Sequence, residues 1–294
     1  MLRTRGEKAF NVFNLSFFVI FSLIVIFPFW EVVRISVSSP ADIARMGFRL
    51  WPTTPSLDAY KTVRNNTFIW IGYKNSIIRI VLGVSLQMLL MIITAYPLSK
   101  PYLPARTYFT LFFVFTMFFS GGLIPTYIMM TQWLKLYDSM WALILPGMVS
   151  TFSMLIVRNY FMSMPESLTE SARIDGANEW LILFRIMVPI AKPIMMTVML
   201  WGIVGHWNSW FDALIYIRTP EKLVLQTILR KIVLEAAPQF TVYTVFNDTT
   251  AKPVANPEAI RCATIIVSTI PIMCIYPFIQ KHFVKGIIVG SLKG

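Results

Sequence analysis

The sequence predicts an all-α membrane protein with six transmembrane helices. Three observations carry this expectation. Hydrophobic residues make up 56% of the 294 positions and charged residues only 14%, too few charges to clothe a soluble surface of this size. The mean hydropathy is +0.64. Apolar stretches long enough to cross a bilayer recur from near the first residue to near the last, and no polar half is long enough for a core of its own, so residues 1–294 read as one membrane domain.

A hydrocarbon layer of about 30 Å needs roughly 20 apolar residues in a helix, because backbone groups in lipid must be satisfied within the segment. Six segments qualify: Leu15 to Trp30, Ser76 to Leu98, Tyr108 to Met130, Trp141 to Val157, Ile194 to Tyr216 and Ala263 to Ile279. The first follows Arg3, Arg5 and Lys8 in the manner of a signal peptide. Its apolar run is long for a cleaved signal and lacks a small-residue cleavage site, so it reads as a retained signal anchor. Gly121, Gly122 and Pro125 interrupt the third segment, Pro146 the fourth, and Pro271 and Pro277 the sixth. Such breaks suit helices that line a path or hinge. An even number of spans puts both termini on one side. The N-terminal basic cluster favours the cytoplasm for that side, but longer loops on the other side carry a comparable number of Lys and Arg residues, so charge alone leaves orientation open.

The net charge of +12 is spread over loops between apolar segments, which points to topology and partner contacts and not to nucleic acid. Cys262 and Cys274 suggest neither a disulfide framework nor a metal site, and His206 and His282 stand too far apart to form a local ligand pair. No cluster of His, Asp or Ser has catalytic spacing, and no phosphate-binding glycine loop is present, so the chain reads as a transport component and not an enzyme.

The most informative stretch joins the fourth and fifth segments, residues 164–193, and opens Met164-Pro-Glu-Ser-Leu-Thr-Glu-Ser-Ala-Arg-Ile-Asp-Gly-Ala177. Pro165 starts a short helix, Glu166 and Glu170 suit its N-terminal half, and Gly176 ends it. Ala172 and Gly176, four apart, would leave a shallow face on which another protein can dock. Phe184-Arg-Ile-Met-Val-Pro189 follows.

This stretch resembles the EAA loop of ATP-binding-cassette importer permeases. Glu170, Ala172, Gly176, Ile186 and Pro189 match that pattern at its spacing, while Ser171 and Val188 depart mildly from it. The resemblance covers nearly the whole chain and points to the carbohydrate-uptake branch, near the second permease of maltose-type systems and an oligosaccharide subgroup. Leu50-Trp-Pro52, Asn75-Ser76, Phe119 to Tyr127, Trp207-Asn-Ser-Trp-Phe211 and the ending from Gln280 carry it. It implies a type I importer permease fold with both termini cytoplasmic, in a bacterial cytoplasmic membrane. It further implies a second related permease, two ATPase subunits that hold the ATP and magnesium, an extracytoplasmic solute-binding protein and an oligosaccharide cargo; this chain itself would bind no cofactor. The residues implied to couple to the ATPases are Glu170, Ser171, Ala172, Asp175, Gly176, Ile186 and Pro189. A permease for another solute class, such as peptides, and a stand-alone secondary carrier are the alternatives.

Candidates for the substrate pathway are Tyr127, His206, Trp207, Asn208, Trp210, Phe211 and Asp212. Ionisable groups within a span are costly and commonly functional. Trp207, Trp210 and Phe211 at i, i+3 and i+4 would share one helical face, and aromatic faces stack on sugar rings; His206 reads as a packing or hydrogen-bonding residue. Arg79, one turn into the second span, is expected to snorkel to the outer interface. Arg34, Arg45, Arg49, Arg218, Arg230 and Lys231 give the outer loops a basic excess suited to an acidic, uronate-containing oligosaccharide. Lys281, Lys285 and Lys293 place the tail near the ATPases.

Overall fold

A computed structural model describes residues 5–45, 49–234 and 256–291, with described side chains ending at Ile275. Among these residues every regular element is a helix, joined by turns and loops, with one isolated bridge between Ser38 and Pro55. The chain groups into two compact units, one of residues 1–69 with 231–269 and one of residues 70–230 with 270–294. Lys293 lies outside the described residues.

Among the described residues, three unbroken helices are long and apolar enough to cross a membrane: Phe10–Ser36, Thr67–Ser99 and Pro257–Ile275. They contain or overlap the first, second and sixth expected segments. The last belongs to a helix, Pro257–Ser291, that runs through Pro271 and Pro277 without interruption. In the first unit, the Phe10–Ser36 span exposes nearly all of its apolar side chains, as a helix facing lipid or a partner subunit does. Past its end the buried Asp42 carboxylate accepts the Thr54 amide at 2.7 Å and Arg49 at 3.4 Å, which organises the loop before the helix Asp58–Asn65.

The third and fourth expected segments are bent pairs, and a third bent pair begins inside the expected loop of residues 164–193 and overlaps the fifth segment. Arg106–Phe118 and Leu123–Trp133 meet at 107°, Trp141–Gly147 and Thr151–Met162 at 49°, and Glu179–Ile190 and Lys192–Asn208 at 83°. Each bend has a local cause. Gly122 adopts φ +82, which a residue with a side chain resists, and the chain turns there. Pro146 has no N–H to continue the preceding turn, and Ser150 starts the next helix by accepting the Ser153 amide. Pro189 and Pro193 each remove a helical donor, and the turn before them, Ile182–Met187, widens to a π-helix. The fifth expected segment, Ile194 to Tyr216, is also cut: its helix stops at Asn208, Ser209 is extended, and a separate helix spans Phe211–Tyr216.

The core of the second unit joins the Ser99 end of Thr67–Ser99 to the loop of residues 164–193. Met91, Ile92, Ala95, Tyr96 and Leu98 pack with Met154, Val157, Phe161, Ala172, Ile182, Leu183, Met187, Ala191 and Met195. Within lipid, helix association rests on close packing more than on apolar burial, so small residues matter. A Cβ on Gly83 would lie 2.7 Å from His206 Nε2, and one on Gly202 would lie 2.8 Å from Gln87 Oε1. The helices Thr67–Ser99 and Lys192–Asn208 approach closely because each offers a glycine where the other places a polar side chain.

Candidate functional site

Two features of the second unit bear on function. The first is the helix Ser167–Ile174 in the loop after Met162. Pro165 stands just before it and Gly176 just after, with φ +77. The Gly176 amide donates to the Arg173 carbonyl at 3.0 Å and the Ala177 amide to the Ala172 carbonyl at 2.9 Å, the paired bonds of a Schellman ending. Glu170, Ser171, Ile174, Asp175 and Gly176 are exposed. Ala172 is not: it is buried in the core, because the side of the helix carrying Thr169 and Ala172 packs inward. The expected shallow face of Ala172 with Gly176 is therefore replaced by an exposed polar surface of Glu170, Ser171, Asp175 and Gly176, with Ala172 letting the helix sit close to the core. Ile186 is half-buried against that core and Pro189 is exposed.

Polar contacts tie this helix to the Ser99 end of the membrane helix. Lys100 Nζ donates to Thr169 Oγ1 at 3.5 Å and lies 5.0 Å from the Tyr96 ring centre. The Tyr96 hydroxyl donates to Glu179 Oε2 at 2.7 Å, Arg173 Nε donates to Glu179 Oε1 at 2.9 Å, and Arg173 also donates to the Tyr102 hydroxyl. Burial, with the nearby Arg173 charge, pushes the Lys100 ammonium below its ordinary pKa; the Glu179 bond raises that of Arg173. None of Tyr96, Lys100, Tyr102 or Glu179 stood out in the sequence, since their partners lie up to 83 residues away.

The second feature is a cavity of about 460 Å³ beside the break at Ser209. His206, Phe211 and Asp212 line it together with Arg79, Ser150, Trp201 and Tyr216. Tyr127 stacks on Tyr216, ring centres 5.8 Å apart, and so supports the wall from behind. Trp207 is buried against Tyr73, Asn208 is exposed at the helix end, and Trp210 holds the Arg230 guanidinium 4.0 Å from its ring; none of the three lines the cavity. The three aromatic residues do not share a helical face, because the helix ends between Trp207 and Trp210.

Arg79 does not snorkel. Its side chain is 3% exposed and ion-paired with Asp212. NH1 donates to Asp212 Oδ1 at 3.2 Å and to the Ser209 carbonyl at 3.4 Å, NH2 donates to the Leu143 carbonyl at 3.1 Å and to Asp212 Oδ2, and Nε donates to His206 Nδ1 at 3.3 Å. A guanidinium with its donors met inside the protein has no need of the interface, and this pairing offsets the cost of its burial. The available signal was Asp212 in another apolar segment, a charge that a span tolerates when it has a partner. His206 accepts from Arg79 and packs against Gly83.

Past the end of the helix Phe211–Tyr216, Asp138 accepts the amides of Arg218 at 3.0 Å and Thr219 at 2.9 Å, and Lys222 Nζ at 2.8 Å. Burial opposes its ionisation, but these donors prevail and hold the carboxyl far below its ordinary range. Asn75, in a stretch that carried the family resemblance, donates to the carbonyls of Glu221 and Leu223 at 2.8 and 2.9 Å, a structural use. Arg45 and Arg49, expected to attract an anion, flank Asp42, and Arg230 engages Trp210.

Comparison with known proteins bears on both features. Residues 69–289 match the family described as "Binding-protein-dependent transport system inner membrane component". Protein LplC of Bacillus subtilis is 37% identical over 100% of this chain and 98% of its own. The polygalacturonan/rhamnogalacturonan transport system permease protein YtcP of the same organism is 37% identical over 98% and 99%. A chain in the crystal structure of a bacterial ABC transporter involved in the import of the acidic polysaccharide alginate superposes with a TM-score of 0.86 at 30% identity, covering 96% of this chain and 99% of that one. With a matched family model over most of its length and relatives aligned from end to end, the chain belongs to the binding-protein-dependent transport system inner membrane components, the permease subunits of ABC importers.

Proposed function

We propose that this chain is one of two transmembrane subunits of an ATP-driven importer that carries acidic, uronate-containing oligosaccharides across a bacterial cytoplasmic membrane. In this reading residues 1–294 act as one permease domain with six spans, each bent pair counting as one, and both termini in the cytoplasm. A second related permease completes the pathway, two ATPase subunits hold ATP and magnesium, and an extracytoplasmic binding protein delivers the cargo. The carrying observation is that one compact unit joins an exposed polar helix, Ser167–Ile174, to a helix that also reaches a cavity with polar and aromatic walls. The cargo class is supported by the polygalacturonan/rhamnogalacturonan permease and by the alginate importer, both of which handle acidic polysaccharides.

The mechanism follows from the contacts. Closure of the ATPase pair would press on Glu170, Ser171, Asp175 and Gly176. Lys100–Thr169, Arg173–Tyr102 and Tyr96–Glu179 would pass that displacement to the Ser99 end of Thr67–Ser99. Arg79 sits on the same helix about 30 Å away, at 1.5 Å per residue, so a rigid tilt of the helix would reach the cavity wall.

Uptake of matched uronate and neutral oligosaccharides by the assembled transporter, with its native binding protein and at low and high salt, tests this reading. Preference for the uronate at both ionic strengths is the expected result, since selectivity from a closed site persists when long-range steering is screened. Preference for the neutral sugar at both would refute the acidic cargo and leave the importer role standing.

A further inference from the structure

Resting on the reading of an acidic oligosaccharide as cargo, we infer that Arg79 reads the cargo carboxylate within the membrane and that Asp212 is the counter-ion occupying its place between cargoes. Three groups fix the guanidinium independently of Asp212: the Leu143 carbonyl at 3.1 Å, the Ser209 carbonyl at 3.4 Å and His206 Nδ1 at 3.3 Å. They leave the paired NH1 and NH2 edge turned toward the two oxygens of one carboxylate, now Asp212. A uronate carboxylate has the same planar fork geometry and would meet the same edge.

Asp212 is placed to give way. Its side chain is 26% exposed, against 3% for Arg79, and both residues line the 460 Å³ cavity. It keeps two other donors, the Ser209 hydroxyl at 2.9 Å and the Ala213 amide at 2.9 Å, so sharing or ceding the guanidinium does not orphan it. It stands in the first turn of Phe211–Tyr216, just past the non-helical residues Ser209 and Trp210, where rotation need not carry the helix Lys192–Asn208 with it. Trp201 and Phe211, both substantially exposed, offer ring faces on the same cavity for the sugar itself.

The charge balance explains why a counter-ion is needed. An uncompensated arginine in this setting would be costly when the cavity is empty and would hold an anionic cargo tightly when it is full. Transport requires binding weak enough to release. Asp212 neutralises the empty cavity and competes with the cargo once it arrives, which keeps affinity moderate and turnover high.

The test uses the complete transporter in nanodiscs. Equilibrium binding of a galacturonate tetrasaccharide and of its carboxyl-reduced, neutral counterpart is measured without the binding protein, alongside ATP-driven uptake into proteoliposomes with it. Asp212→Asn should bind the uronate at least tenfold more tightly and import it more slowly, with the reduced sugar bound within twofold of wild type. Arg79→Gln should lose at least tenfold in uronate affinity with the reduced sugar again within twofold. Asn at position 212 still accepts from Ser209 and Ala213, so that variant carries the test if Arg79→Gln does not assemble. Equal shifts for both sugars, or unchanged selectivity, would show that the pair only pins the helices and would overturn the inference alone. Failure of the wild type to import the uronate would overturn the acidic-cargo reading and this inference with it.

Discussion

The Tyr96 hydroxyl donates to the Glu179 carboxylate over 2.7 Å, joining the last turn of the helix Thr67–Ser99 to the loop that presents the exposed polar helix Ser167–Ile174. Tyr96 is buried and its ring meets Phe161 edge-on at 6.0 Å, so the hydroxyl is held in place by packing. Glu179 is half exposed and shared with Arg173.

Tyr96→Phe keeps the packing and deletes the bond. Because water can partly replace the lost donor on Glu179, the cost in stability should be only about 1 kcal/mol. Coupling should suffer more: uptake per ATP hydrolysed is expected to fall severalfold while membrane insertion and ATPase assembly stay normal. Paired uptake and ATPase assays in proteoliposomes check this, and an unchanged ratio would remove Tyr96 from the transmission path.

Gly176 is required for its backbone and not for its small size, since a Cβ there would meet nothing within 4 Å. At φ +77 a β-branched residue costs about 1–2 kcal/mol, and the Schellman ending would open. Gly176→Val should abolish uptake and ATPase assembly while the chain still inserts. Gly176→Asn, which tolerates this conformation, should retain most of both. Co-purification of the ATPase with each variant separates the two, and equal loss for Asn and Val would favour a purely steric docking role.

The three aromatic residues around the break at Ser209 should behave differently. Trp207 is buried, so Trp207→Ala is expected to cost about 3–5 kcal/mol and to appear as a lower Tm of the assembled transporter. Phe211→Ala should leave Tm nearly unchanged and weaken sugar binding roughly three- to tenfold, the size of one lost aromatic contact. Trp210→Leu should lower stability through its loss of the Arg230 contact, without altering selectivity between sugars.

Asp138 makes the junction between residues 134–140 and 216–222 sensitive to acid. Its folded-state pKa lies below the ordinary 3.8, so its contribution is complete above that value and is lost as pH falls through the depressed one. Protection of the Arg218 and Thr219 amides from hydrogen exchange, taken relative to the intrinsic rate at each pH, should hold down to about pH 4 and fall below it. In Asp138→Asn protection should already be lower at neutral pH and change little further on acidification; wild-type protection that does not change below about pH 4 would contradict this.

Patterns local in the chain carried most of the architecture. The apolar runs of Leu15 to Trp30, Ser76 to Leu98 and Ala263 to Ile279 are long enough to demand lipid wherever they sit, and each lies in an unbroken helix. The helix Ser167–Ile174 was legible for the same reason: Pro165 and Gly176 act on the backbone within one or two residues of themselves. The interruptions at Gly122 and Pro146 were visible too, but their angles, 107° and 49°, depend on what each half packs against, and the 83° bend after Ile190 was not read from the sequence.

By itself, then, the sequence determined that this is a membrane permease, where the short helix of the loop after Met162 begins and ends, and that the third and fourth segments are broken, because these depend on segment length and on backbone chemistry at single positions; it placed breaks at Pro271 and Pro277 that the unbroken helix Pro257–Ser291 does not have. Tertiary structure alone decided that Ala172 faces the core, that Trp207 and Trp210 leave the cavity to Phe211, and that Arg79 turns inward to Asp212, 133 residues away, and not outward to the interface. The physical reason is that an arginine snorkels only when no acceptors are nearer than water, and the Leu143, Ser209, His206 and Asp212 acceptors become neighbours only after the chain has folded.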